Sequence, residues 1–174
     1  MPVAGSDKEK RTNEIGMAIS LLASCDITGK DVTGDALLTQ HKIATDVVEE
    51  RKAHYYFTVK GNQPTMERAI ALLFETRGAP DFVEVTPPDH GRIETRRIWR
   101  GTAINAYLDL PHVGQVFMIE REAIDNNTGA QSRETALGIT SRTPKEASPK
   151  RVLAVNRGHW SIESVHYIID WNLR

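Results

Sequence analysis

Two carboxylates stand out for their surroundings: Asp35 in Gly34-Asp35-Ala36-Leu37-Leu38-Thr39-Gln40, and Glu163 in Arg157-Gly158-His159-Trp160-Ser161-Ile162-Glu163. An aspartate closing a short strand directs its carboxylate off the sheet edge, toward water or a metal ion, or back onto the backbone as a helix cap or turn former. Around Glu163, helical spacing groups His159, Trp160, His166 and Tyr167 on one face and leaves Ile162, Val165 and Ile169 for the buried one. That grouping suits a reactive site, and it equally suits a satisfied interfacial network.

Two sets of cations could follow a phosphate backbone. Arg92, Arg96 and Arg100 alternate onto one face of a strand, and Arg142, Lys145, Lys150, Arg151 and Arg157 have only Glu146 among them as an acid. A solvated basic face is the competing reading for both. Global charge does not decide, because 22 Lys and Arg stand against 23 Asp and Glu, for a net charge of -1. No His or Cys spacing suggests zinc.

The elements that must position these groups fit one domain, since 174 residues with 40% hydrophobic content can bury a real core. The spacing predicts an amphipathic helix over Asn13 to Ser24 with Asn13 as its cap, a short strand over Val32 to Ala36, and a helix over Thr39 to His54. Tyr55-Tyr56-Phe57-Thr58-Val59 reads as a strand buried on both faces, as in parallel sheets. A strand-helix-strand order implies a right-handed crossover, with ligands beyond the carboxyl ends of the strands, where Asp35 and the Lys60-Gly61-Asn62-Gln63 turn both fall. A helix from Thr65 to Thr76, capped by Thr65, follows; Gly78 to His90, with three prolines, reads as a loop. Arg92 to Arg100, Gln115 to Glu122 and Glu134 to Thr140 predict an antiparallel meander, and helices close the chain, the first starting near Pro144.

Cys25 stands alone, so no internal disulfide is expected and a reducing, cytoplasmic setting fits. No run approaches the roughly 18 apolar residues of a membrane helix. The first residues lack an apolar stretch after a basic start and are expected as a disordered lead-in over 1–11 rather than a secretory signal.

Five ordered motifs then carry a resemblance: Thr12-Asn13-Glu14-Ile15, Gly34-Asp35-Ala36-Leu37-Leu38-Thr39-Gln40, Lys60-Gly61-Asn62-Gln63, His90-Gly91-Arg92-Ile93-Glu94-Thr95-Arg96 and Arg157-Gly158-His159-Trp160-Ser161-Ile162-Glu163. In this order the chain resembles bacterial insertion-sequence transposases of the DDE type, the ISAs group of the IS-four-like superfamily. The resemblance implies an α/β fold: a partial RNase H-like core over 12–174, its first strands missing, with an antiparallel β meander inserted at about 84–141 before the last helices. It implies metal-dependent cleavage and joining of DNA strands in transposition, with Asp35 and Glu163 as catalytic ligands of Mg²⁺ or Mn²⁺ and two-metal in-line displacement as the chemistry. Lys60, Asn62, Gln63, Arg92, Arg96, Arg157, His159 and Trp160 would be the DNA-binding residues. The implied partners are DNA at insertion-sequence ends and a second copy or a full-length transposase, with no membrane, in a nucleoid-associated cytoplasmic setting.

The chain departs from the family in one respect that bears on activity. No strand carrying the first aspartate precedes the Asn13 helix, and Asp31 cannot replace it, because four residues of strand place it about 13 Å from Asp35 whereas paired metals lie ~4 Å apart. Asp7 falls in the lead-in. The expectation is therefore a fragment, truncated at both ends and inactive by itself, with an open edge on the strand that bears Asp35. The alternatives are a regulator that keeps affinity for DNA or transposase without catalysis, and a soluble α+β domain whose motifs are structural or a decayed gene product without a role.

Overall fold

The protein is described by a computed structural model covering residues 7–89 and 91–159. Helix α1 spans Asp7–Ala23, strand β1 Asp31–Gly34, and a 3₁₀ turn Ala36–Leu38. Helix α2 spans His41–Thr45 and continues as a π turn over Asp46–Glu50 before β2, His54–Val59. Helix α3 is Pro64–Glu75; then come β3 Phe82–Asp89, β4 Arg92–Gly101, β5 Gln115–Asp125 and β6 Gln131–Thr140. The last described helix, α4, occupies residues 149–159.

Among the described residues the strands form one six-stranded sheet in the order β1-β2-β6-β5-β4-β3. β1 and β2 are parallel, joined by the α2 crossover, and every other pairing is antiparallel. Among the described residues β1 ends the sheet on one side and β3 on the other.

Both faces of β2 are covered, which explains its unbroken aromatic and β-branched run. Tyr55 and Phe57, stacked with centroids 4.7 Å apart, point with Val59 into the core built by Ile43, Val47, Met66, Ile70 and Phe74 of α2 and α3. Tyr56 points the other way, into a second cluster with Ile98, Phe117 and Ile119 of the meander and Val152 and Leu153 of α4. Each such side chain removed from water stabilises the fold by roughly 2–3 kcal/mol before entropy is subtracted. α1 packs Ile15, Ala18, Ile19 and Leu22 against the first core and leaves Met17 and Leu21 exposed.

Several local expectations are corrected. α1 starts at Asp7, so residues 7–11 are helical rather than lead-in and Asn13 lies inside the helix instead of capping it. α3 begins with Pro64 in its first turn, where a missing N–H costs nothing, so Thr65 is not the cap. α4 begins at Pro149, not near Pro144, and Ser148 caps it by accepting a hydrogen bond from Arg151 N. The supposed loop before His90 contains β3. Pro87 and Pro88 are tolerated there because β3 is an edge strand, and its pairing with β4 shifts register between Thr86 and Asp89.

Candidate functional site

Asp35 is exposed at the carboxyl end of β1. Its backbone is extended, and Oδ1 accepts hydrogen bonds from Leu37 N at 3.0 Å and Leu38 N at 3.4 Å, so the carboxylate caps the 3₁₀ turn. Gly34 lets this corner close against the core: a Cβ there would stand 3.0 Å from the Phe57 ring and 3.1 Å from Leu38 Cβ.

Three side chains lock the turn to the end of β2. Buried Thr39 donates from Oγ1 to Thr58 O at 2.6 Å. Asn62 donates to Ala36 O at 2.6 Å, and Gln63 to Thr39 O at 2.8 Å. Two motifs more than twenty residues apart are thus one structural unit at the carboxyl edge of the parallel pair. Asn62 and Gln63, expected to touch DNA, spend amide donors on this clamp, while Lys60 stands exposed beside it.

α4 approaches the same strand. His159 Nδ1 meets Thr33 Oγ1 at 3.2 Å, two residues before Asp35. Trp160 and Glu163 lie outside the described residues, as do His166 and Tyr167. Among the described residues no group of three or more His, Cys, Asp or Glu is placed to hold a metal ion.

A cleft of about 740 Å³ opens from the Lys60 turn along the face that carries α4. Its floor is a register of charges across three strands, Arg96 of β4 opposite Arg121 of β5 and Arg121 opposite Glu134 of β6, with Glu84 of β3 opposite Arg96 outside the lining. Asn156 and Arg157 of α4 form a wall, and Lys60 and Glu67 stand at the β2 end. Lys60, Arg96 and Arg157, chosen from separate motifs, therefore share one cavity.

Glu94 organises the floor. Its two oxygens take Arg121 and Arg96, and Arg92 Nε is 3.8 Å away. Burial pushes the Glu94 carboxyl up, but hydrogen bonds and charge from Arg121 and Arg96 outweigh it and hold it below its ordinary value. Arg121 also donates to Glu134 at 3.1 Å, and its Nε is buried without a hydrogen-bond partner. Arg157 donates to Glu84 at 3.1 Å.

Both cationic sets are thereby redrawn. Arg92 is half-exposed, Arg96 is sequestered by Glu94 and Thr86, and Arg100 donates to Ala147 O at 3.0 Å, fastening the segment before α4 to the sheet. Arg142 and Arg151 do not face only Glu146: they grip Asp31 at 2.8 and 2.6 Å, at the opposite end of β1 from Asp35. This also occupies Asp31, whose oxygens are neutralised by two guanidinium groups. Arg121, Glu94 and Asn156 were not singled out from the sequence, because strand register, which pairs Arg121 with Arg96, is not written in spacing along one strand.

Comparison with known proteins adds an independent line. The chain is 32% identical over 147 residues to an uncharacterized protein of the dhlA 3' region of Xanthobacter autotrophicus, covering 81% of this chain and 49% of that protein. It is 34% identical over 92 residues to the H repeat-associated putative transposase YbfD of Escherichia coli, covering 51% of this chain and 36% of that one. With the H repeat-associated putative transposase YhhI of the same organism it shares 24% over 177 residues, 93% of this chain and 45% of that one. The chain spans about half the length of these relatives or less. No family model matches it, and no solved structure gives a match. The names of the relatives support a transposase family.

Proposed function

We propose that this chain is part of the catalytic domain of a DDE transposase of the ISAs group, with an RNase H-like core, and that it binds DNA along the cleft beside Asp35. One observation carries this reading: Lys60, Arg96 and Arg157 line a single cleft, and Lys60 opens the turn whose Asn62 and Gln63 clamp the segment that follows Asp35. The relatives named as transposases make DNA the polyanion of choice.

The residues present fit a hard divalent cation in part. Asp35 offers an exposed carboxylate at the carboxyl end of the parallel strands, where its two backbone bonds both use Oδ1. Glu163 follows His159 by four residues and would supply the second carboxylate. Mg²⁺ or Mn²⁺, when bound, would activate water and then a 3′ hydroxyl for attack at a phosphodiester. The chain's own part is to hold Asp35 through Thr39, Asn62 and Gln63 and to lay the DNA backbone past it through Lys60, Arg96 and Arg157. Arg92, His159 and Trp160 remain proposed contacts of the same path.

Titrating the protein into a fluorescent DNA duplex, then adding Mg²⁺, tests this. Binding should weaken steeply with salt and fall in Arg157→Ala. No affinity for DNA at low salt would sink the proposal. Because the chain by itself is expected to be inactive, the discriminating reading is metal binding: salt-sensitive DNA binding with an affinity for Mg²⁺ that Asp35→Asn leaves unchanged would instead favour a non-catalytic regulator that binds DNA or a transposase.

A further inference from the structure

The floor of the cleft contains an arginine whose donors are incompletely used. Arg121 gives Nη1 to Glu134 and Nη2 to Glu94, while Nε has no partner though buried. A buried donor left unmet keeps its desolvation cost without a compensating bond, so the arrangement is open to a better acceptor. Its cause is geometric: Glu94 divides its two oxygens between Arg121 and Arg96 and reaches each guanidinium with one. Arg96 lies directly opposite Arg121 in the β4–β5 register, so two guanidinium groups share one carboxylate.

We infer that Arg121 and Arg96 form a phosphodiester subsite in which Glu94 is a built-in competitor, occupying the pair until a nucleic-acid phosphate displaces it. A phosphodiester has two non-bridging oxygens and can address the Nε–Nη2 edge of a guanidinium with both, the fork geometry that Glu94 does not provide to Arg121. Displacement leaves Glu94 beside half-exposed Arg92, 3.8 Å away in the starting arrangement, so its charge does not have to be abandoned in a dry site. The exchange makes the subsite selective for a phosphate that the rest of the cleft already holds. This subsite rests on the reading of the cleft as a DNA path and adds to it a residue, Arg121, and a displaced carboxylate.

The test is anisotropy of a short fluorescein-labelled duplex of mixed sequence, titrated with the full chain at several salt concentrations. Arg121→Ala is expected to weaken binding about tenfold and to reduce the slope of log K against log salt by about one. Arg121→Lys should recover the slope but not the affinity, because the fork is lost. Glu94→Gln removes the competitor and should tighten binding about fivefold. Glu134→Gln, at an exposed partner of the same guanidinium, should tighten it in the same direction and decides the matter if Glu94→Gln fails to fold. Wild-type affinity in Arg121→Ala, or no tightening in either carboxylate variant, overturns the subsite. If binding then still depends on Lys60 and Arg157, the DNA path survives without it; if wild-type protein does not bind the duplex at all, both readings fall.

Discussion

The imidazole of His159 lies 3.2 Å from the hydroxyl of Thr33, across 126 positions of chain. This contact brings the last described turn of α4 to the strand that ends at Asp35. The first turn of α4 is tied to the same strand from below, where Arg151 holds Asp31 at 2.6 Å. α4 is therefore registered on β1 at two points, and each can be released separately.

Thr33→Val keeps the strand's β-branched shape and removes the hydroxyl. Amide hydrogen exchange in the last described turn of α4 should quicken by about tenfold, corresponding to about 1.4 kcal/mol of local opening, while the Arg151 end stays protected. Equal acceleration along the whole helix would mean that this contact does not hold the end independently.

Acid should release the other point. Burial pushes the Asp31 carboxyl up, but hydrogen bonds from Arg151 and Arg142 pull it further down, leaving it below its ordinary value of 3.8. Because the folded value is the lower one, this contribution is complete above 3.8 and is lost as pH falls below it through the folded value. Glu94 and Glu120, also held below 4.5 by arginines, add to the same acid limb. Urea midpoints followed downward from pH 5 should drop, and Asp31→Asn, less stable at pH 6, should show a shallower fall. A parallel fall in both proteins would remove Asp31 from the explanation.

The clamp at Asp35 depends most on Thr39, which is fully buried and bonded to Thr58 O at 2.6 Å. Thr39→Val fits the space but leaves that carbonyl unmet, for an expected cost of about 1–3 kcal/mol in chemical denaturation. Thr39→Ser retains the hydroxyl and should lose less than half as much. If Ser and Val cost the same, the methyl group rather than the hydrogen bond holds the turn.

Gly138 makes room for an aromatic ring. It pairs with Phe117 across β5 and β6, and a Cβ on it would fall 2.2 Å from the Phe117 ring. Gly138→Ala should destabilise by about 1–3 kcal/mol through overpacking. Adding Phe117→Leu to it should cost less than the two single losses combined, a coupling that strict additivity would rule out.

What was legible in the sequence follows from local rules. Tyr55 to Val59 could be read as a strand covered on both faces because every residue in it is apolar or β-branched, and Asp35 and Lys60 could be placed at one sheet edge because a short crossover fixes strand direction. β3 was hidden because Pro87 and Pro88 argue against a strand wherever both sides must pair, and only its edge position removes the objection.

By itself the sequence determined the elements other than β3, though not all their ends, together with the parallel pair and the edge at which Asp35 must lie, since these depend on periodicity and on neighbours a few residues away. Which charges remain available to a ligand was decided only by the tertiary structure. Arg96, Arg121, Arg142 and Arg151 look alike as residues in a chain, yet strand register sets the first two over Glu94 in a cleft, while the segment leaving β6 sets Arg142 on Asp31 and helix docking sets Arg151 there. An ion pair forms between groups a few ångströms apart in space, and separation along the chain does not encode that distance.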